Sequence, residues 1–282
     1  MTGNTPPLPL AISLGDPAGI GPELIAAAWA RRTEERLPPF FAVGGAELLT
    51  AAARTRGIDL PIERIAEPAQ AFEVFSRALP VFGHLDADHT PGEPSEAGAR
   101  LALASLETAT ALAVQGESAG LVTGPIAKSE LAKVGFAHPG QTEFVAAASG
   151  VAADDAVMML AGPSLRTVPM TVHCALSEVP GRLSAELIRR RCTVVAKAMQ
   201  RDFGLAQPRL AVCGLNPHAG ENGRMGHEEI ETIGPAVKAL QAEGINATGP
   251  LPADSLFAPR MRATYDVAIA MYHDQALVPL KA

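Results

Sequence analysis

The strongest constraint on the fold is a regular alternation along the chain. Short apolar runs take turns with longer stretches rich in alanine and leucine. Leu8–Leu14, Phe40–Val43, Leu79–Phe82, Gly120–Thr123, Val157–Leu160, Arg166–Val172, Arg209–Leu215 and Val267–Tyr272 read as strands. Pro22–Arg32, Ser95–Val114, Thr142–Ser149, Leu183–Asp202 and Glu228–Glu243 read as helices. Such apolar stretches read as buried strands. The helices between such strands are the crossovers that parallel pairing requires. The pattern therefore predicts an α/β protein with a largely parallel sheet. Local signals agree: Pro22 and Glu23 suit a first helical turn, and Ser95 is placed to cap the helix that follows it. Asp86–Glu96, polar and bearing Pro and Gly, reads as the clearest loop.

A chain of 282 residues has room for one large or two modest domains, and no linker composition separates them. Aromatic residues are only 4% of the chain, so aliphatic side chains must fill the core. A net charge of −7 argues against a nucleic-acid surface and against a basic membrane patch, while leaving room for a local anion pocket. Cys174, Cys192 and Cys213 fit neither a zinc ribbon nor a disulfide framework, which points to reduced thiols. The first residues lack the charged start and apolar core of an export signal. No apolar run approaches the roughly 18 residues of a membrane span. A soluble, cytoplasmic protein is expected.

Three histidines stand out: His173 in Thr-Val-His-Cys-Ala-Leu, His218 in Gly-Leu-Asn-Pro-His-Ala-Gly-Glu, and His273 in Met-Tyr-His-Asp-Gln-Ala. Each lies at or just beyond an apolar run that reads as a strand. Together, neutral imidazoles at such positions can hold one divalent metal and leave coordination sites open. Any one of them alone would more readily be a hydrogen-bonded structural residue. His84, His89, His138 and His227 lie in polar, loop-like contexts and are read that way. Asp274, beside His273, is a candidate to orient the ring.

Four further segments carry potential chemistry. Gly15-Asp16-Pro17-Ala18-Gly19-Ile20-Gly21-Pro22-Glu23 joins a strand to a helix. Its glycines admit a ligand and a tight turn equally. Neither Gly-x-Gly-x-x-Gly nor a phosphate loop ending in Gly-Lys-Ser/Thr occurs. In Thr123-Gly124-Pro125-Ile126-Ala127-Lys128 the threonine and lysine could reach an anion, although a plain turn with a solvated lysine explains them slightly better. In Pro139-Gly140-Gln141-Thr142-Glu143, Gln141 and Thr142 offer donors at a helix start, where Thr142 could equally act as the cap. Asp254 lies in the proline-rich stretch Gly249–Ser255. Cys174 and Cys213 read as small buried residues.

Seven segments, namely Gly15–Glu23, Thr123–Lys128, Pro139–Glu143, Thr171–Pro180, Gly214–Gly223, Gly249–Asp254 and Tyr272–Lys281, resemble in order the motifs of the 4-hydroxythreonine-4-phosphate dehydrogenase family of vitamin B6 biosynthesis. The resemblance runs through nearly the whole chain. It implies two intertwined α/β subdomains, approximately 1–125 and 126–282, that share an extended sheet around a cleft, as in isocitrate and isopropylmalate dehydrogenases. It also implies NAD- or NADP-dependent oxidation of the 3-hydroxyl of 4-phosphohydroxythreonine, followed by decarboxylation to 3-amino-2-oxopropyl phosphate.

By the same resemblance His173, His218 and His273 match metal ligands for zinc, or alternatively magnesium, cobalt or manganese. Gln141, Thr142 and Lys281 match substrate-binding positions. Asp254 is a candidate to orient the substrate amine or relay a proton, and Lys281 to supply charge to an anionic group. The implied assembly is a homodimer, with His273 from one subunit completing a set begun by His173 and His218 of the other. Related substrates within the same fold are another phosphorylated hydroxy acid or a dihydrodiol carboxylate. Many members carry histidine where this chain has Gln141, which removes a titratable group. The family also continues past Lys281 with further substrate and dinucleotide residues. A chain ending at Ala282 is therefore expected either to belong to a longer protein or to bind metal and phosphorylated ligand without turnover.

Overall fold

The computed structural model describes residues 7–282. They divide into two compact units, one reaching to Gly150 and the other spanning Val151–Ala282. The first unit holds β1 (Leu10–Ser13), β2 (Phe40–Val43), β3 (Ile62–Ile65), β4 (Leu79–Phe82) and β5 (Gly120–Thr123), in the order β3-β4-β2-β1-β5, with every pairing parallel. The second holds β6 (Leu160–Ala161), β7 (Arg166–Pro169), β8 (Leu210–Cys213), β9 (Ala247–Leu251) and β10 (Val267–Ala270), in the order β6-β7-β10-β8-β9. Only the β6–β7 pairing is antiparallel. The α/β class is as the alternation predicts. The strands are grouped as two five-stranded sheets rather than one shared sheet. After β5 the chain goes into the helices Lys128–Lys133 and Gln141–Ala148, and among the described residues no further strand pairs with β5.

The apolar runs do what doubly covered strands must. In β8, Leu210 and Val212 pack with Ile188, Cys192, Val195 and Met199 of the helix Ala185–Phe203, while Ala211 and Cys213 pack on the opposite face with Leu256 and Tyr265. In the first unit, Ile12 and Ala42 enter one core, whereas Ala11, Phe41 and Val43 enter another. The largest core of the second unit contains no buried aromatic side chain. All three cysteines are free, and burial pushes the thiols of Cys192 and Cys213 up to about 12, which leaves them inert. Among the described residues no helix is long and apolar enough to cross a membrane.

Several elements differ from the sequence reading, each for a local reason. Glu228–Glu243 is not one helix: Glu229–Ile233 is a π turn, and an α-helix follows from Gly234 to Ala242. Pro235, without an N–H, cannot continue the ladder behind it and is suited instead to a helix start. Val157–Leu160 shrinks to the two-residue β6. Residues after Tyr272, given no element from the sequence, form the helix His273–Lys281. Ile62–Ile65 and Ala247–Leu251 were not read as strands, because charges interrupt one and Gly249-Pro250 interrupts the other; both are edge strands, where such residues are tolerated. Asp254 accordingly sits in the short helix Ala253–Leu256 rather than in an extended loop.

The glycines of the first strand-to-helix turn serve the fold. A Cβ on Gly15 would lie 2.5 Å from the Pro125 carbonyl oxygen, and one on Gly124 would lie 2.5 Å from that of Leu14. The two strand ends therefore touch backbone to backbone, sealed by Asp16 N–H donating to Pro125 O at 2.8 Å. Gly124→Ala should destabilise the protein by roughly 2–3 kcal/mol in chemical unfolding. Gly181→Ala, where a Cβ meets nothing within 4 Å, should stay within about 0.5 kcal/mol of the parent or stabilise it.

Candidate functional site

Three neighbouring strands of the second unit, β7, β10 and β8, run parallel, so their carboxyl ends fall on one rim. His173 follows β7, His273 follows β10 and His218 follows β8. Hydrogen bonds just beyond the strands tie these ends together. Thr171 Oγ1 donates to Met271 O at 2.8 Å, Met271 N–H donates to Gln275 Oε1 at 2.6 Å, and Gln275 Nε2 donates to Gly214 O at 2.9 Å. Gly214 N–H then donates to Leu251 O at 2.8 Å, which extends the line to β9 and thus toward Asp254. The sequence reading gave Thr171 and Gln275 no role. Their signal was modest: each is a hydrogen-bonding residue two positions from a singled-out histidine.

The histidines also differ from the rest in backbone. Of the seven in the chain, only His173 (φ 50°) and His218 (φ 52°) have left-handed conformations. A non-glycine residue there costs about 1–2 kcal/mol, so its surroundings must over-determine it. Two of the others behave as structural residues: His89 Nδ1 lies 2.8 Å from Pro17 O, and His138 packs against the rings of Phe136 and Phe144.

His173 and His273 face each other with ring centroids 5.9 Å apart. They line a cavity of about 410 Å³ together with Thr171, Cys174, Glu178 and Tyr272. Cys174 is half-buried at this cavity, not a core residue, whereas Cys213 is fully buried. His273 Nδ1 lies 2.8 Å from Asp274 Oδ1, a bond that leaves Nε2 free to act as a ligand. His218 Nδ1 is 3.8 Å from Asp254 Oδ2, near but beyond hydrogen-bond reach. The donor set suits a divalent cation: three solvent-reachable imidazoles on cross-linked strand ends, two of them with a carboxylate beside Nδ1. Among the described residues, no three His, Cys, Asp or Glu side chains of the chain already converge closely enough to hold an ion.

Asp254 thus comes beside His218, while Lys281 is not brought to the histidine rim by this chain. It is exposed at the far end of the helix that begins with His273, about 12 Å along the axis. Gln141 and Thr142 belong to the first unit. Gln141 opens the helix Gln141–Ala148 and its Nε2 donates to Gly124 O at 3.2 Å, which joins two of the motif segments. The residue at the cap is Gly140, which has no side chain to accept a bond, so Thr142 is not the cap; it is exposed one position into the helix. A Cβ on Gly140 would sit 3.0 Å from Glu143 Oε2 and 3.6 Å from Lys128 Nζ, so Lys128 flanks this helix start.

The model of the pyridoxal phosphate biosynthetic protein PdxA family matches residues 36–282. A 4-hydroxythreonine-4-phosphate dehydrogenase of Erythrobacter litoralis is 58% identical over 98% of this chain and 82% of its own length. A crystal structure of a 4-hydroxythreonine-4-phosphate dehydrogenase from Burkholderia phymatum superposes with a TM-score of 0.84 at 33% identity, covering 98% of this chain and 84% of that one. A terephthalate 1,2-cis-dihydrodiol dehydrogenase from Burkholderia xenovorans is more distant, with a TM-score of 0.66 at 28% identity over 98% of this chain and 82% of that one.

Replacing His173, His218 or His273 singly by alanine should weaken zinc binding, measured by calorimetric titration, by roughly a hundredfold or more. His84→Ala and His138→Ala should leave it unchanged.

Proposed function

The chain belongs to the PdxA family of pyridoxal phosphate biosynthetic proteins, and from that premise we propose that it is an NAD-dependent 4-hydroxythreonine-4-phosphate dehydrogenase acting in the cytoplasm. The 3-hydroxyl carbon of 4-phosphohydroxy-L-threonine gives up a hydride to the nicotinamide and the hydroxyl gives up its proton, leaving a ketone. The resulting β-keto acid loses carbon dioxide, takes up a proton at the carbon so freed, and becomes 3-amino-2-oxopropyl phosphate. The observation that carries this reading is that His173, His273 and His218 all follow parallel strands whose carboxyl ends lie on one rim, the edge at which open α/β sheets bind their ligands, so that each subunit can offer His173 and His218 to one cation and His273 to its partner's.

In this reading the three imidazoles hold a divalent cation, zinc or alternatively magnesium, cobalt or manganese. That cation supplies Lewis acidity toward the substrate oxygen when bound. The reaction class requires NAD or NADP as hydride acceptor. The active form is a homodimer in which His273 of one subunit joins His173 and His218 of the other.

The remaining roles belong to side chains of this chain. Gln141 and Thr142 donate hydrogen bonds to an anionic group of the substrate at a helix start whose N–H groups are uncapped by any side chain. Lys281 contributes positive charge to such a group. Asp254, exposed and beside His218, holds the substrate amine or carries the proton exchanged during decarboxylation. Glutamine at position 141 binds without titrating, so proton transfer falls to other groups. The likeness to the dihydrodiol dehydrogenase keeps a cyclic dihydrodiol carboxylate as the second substrate class, favoured less because identity falls from 58% to 28%.

The test is NADH formation from 4-phosphohydroxy-L-threonine, followed by ultraviolet absorbance. Activity should vanish on chelation and return with a divalent cation. Asp254→Asn should lower kcat by roughly a hundredfold or more. Turnover of a dihydrodiol carboxylate, with none of the phosphorylated amino acid, would contradict the assignment.

A further inference from the structure

The loop that carries His218 has an unusual backbone. His218, Ala219, Gly220, Glu221, Asn222 and Gly223 all have positive φ, at 52°, 52°, 77°, 43°, 57° and 91°. Six consecutive left-handed residues, four of them not glycine, do not persist unless something holds them. The structure places one group at the centre of this loop. Glu229 is only 4% exposed, the one carboxylate in the described chain buried to that degree.

Glu229 enters from the π turn Glu229–Ile233, where a Cβ on Gly234 would lie 2.8 Å from the Glu229 carbonyl oxygen. Its two carboxylate oxygens accept from one residue of the loop: Asn216 N–H at 2.8 Å and Asn216 Nδ2 at 3.0 Å. Asn216 Nδ2 also donates to Glu228 Oε2 at 2.7 Å. The chain closes around this contact through three glycines. A Cβ on Gly214 would come to 3.0 Å from Glu229 Oε1, one on Gly220 to 2.6 Å from Glu229 Oε2, and one on Gly226 to 2.3 Å from Asn216 Nδ2. The left-handed turn thus wraps a buried carboxylate at van der Waals distance, and Asn216, two residues before His218, is the attachment point.

We infer that Glu229 is the positioning residue for His218: its carboxylate fixes the left-handed loop and with it the direction in which the imidazole is presented. The inference rests on the reading of His218 as a metal ligand. It adds a residue that touches neither metal nor substrate. A buried carboxylate with complementary N–H donors defines one loop geometry, whereas an apolar residue there would leave the loop free to relax into right-handed conformations.

The experiment compares the full chain with Glu229→Gln, Glu229→Ala and Asn216→Ala, using two readouts. The first is amide hydrogen exchange of residues 214–226 without metal. The second is zinc affinity by chelator competition, with the visible d–d spectrum of the cobalt(II) form as a record of ligand geometry. Glu229→Gln keeps the shape but sets an NH₂ group against an N–H donor of Asn216. It should speed loop exchange roughly tenfold or more and weaken zinc binding roughly tenfold, with an altered cobalt spectrum. Asn216→Ala, outside the core, should do the same if Glu229→Ala fails to fold. Unchanged loop exchange in Glu229→Gln would overturn the inference. So would faster exchange with zinc affinity and cobalt spectrum intact, in a protein where His218→Ala loses zinc. If His218→Ala binds zinc like the parent, the metal reading of His218 fails instead, and the exchange data alone then decide whether Glu229 holds the loop.

Discussion

Parallel pairing of β7, β10 and β8 is the constraint on which the site depends. Three strands buried on both faces cannot slip in register without exposing core residues such as Val168, Ile269 and Val212, each of which is fully buried. Fixed register fixes where each strand stops, and all three stop on the same edge. Thr171 and Gln275 then join the ends by hydrogen bonds. The loops that follow therefore begin from a rigid frame, and strain can be held in them without disturbing the sheet.

That frame explains how two histidines keep left-handed backbones. The cost is local, and the aliphatic core beneath supplies the stability that offsets it. Around His218 the glycines at 214, 220 and 226 admit close approach, and the carboxylate of Glu229 gives the loop a single resting shape. Around His173 the preceding Thr171 is buried and bonded across to β10. His273 needs no such device, because a helix start already directs it, with Asp274 in the first turn both favouring the helix dipole and bonding the ring.

Much of this was legible in the sequence. The apolar runs at Phe40–Val43 and Leu79–Phe82 coincide with β2 and β4, because continuous apolar character leaves a strand no other way to be satisfied; Gly120–Thr123 coincides with β5 although that strand lies at a sheet edge and is partly exposed. The histidines were legible as strand-end residues for the same reason. What was not legible depended on partners distant in the chain. The order β6-β7-β10-β8-β9 brings His273 between His173 and His218, and nothing in local periodicity reveals that β10 inserts between two earlier strands. The glycines of Gly15–Glu23 looked equally suited to ligand approach and to a tight turn, and only the contact of Gly15 with the loop at Gly124 decides for packing there. The π turn and the helix after Tyr272 were missed because propensity describes single segments, whereas Glu229 and Gln275 are held by bonds to loops elsewhere.

The central claim is that His173, His218 and His273 share one cation. X-ray absorption fine structure at the zinc edge of the loaded protein tests it directly, because imidazole rings give a characteristic outer-shell scattering. Three imidazole nitrogens should surround the metal, and each single histidine variant should lose one. A spectrum of oxygen ligands without imidazole scattering would contradict it.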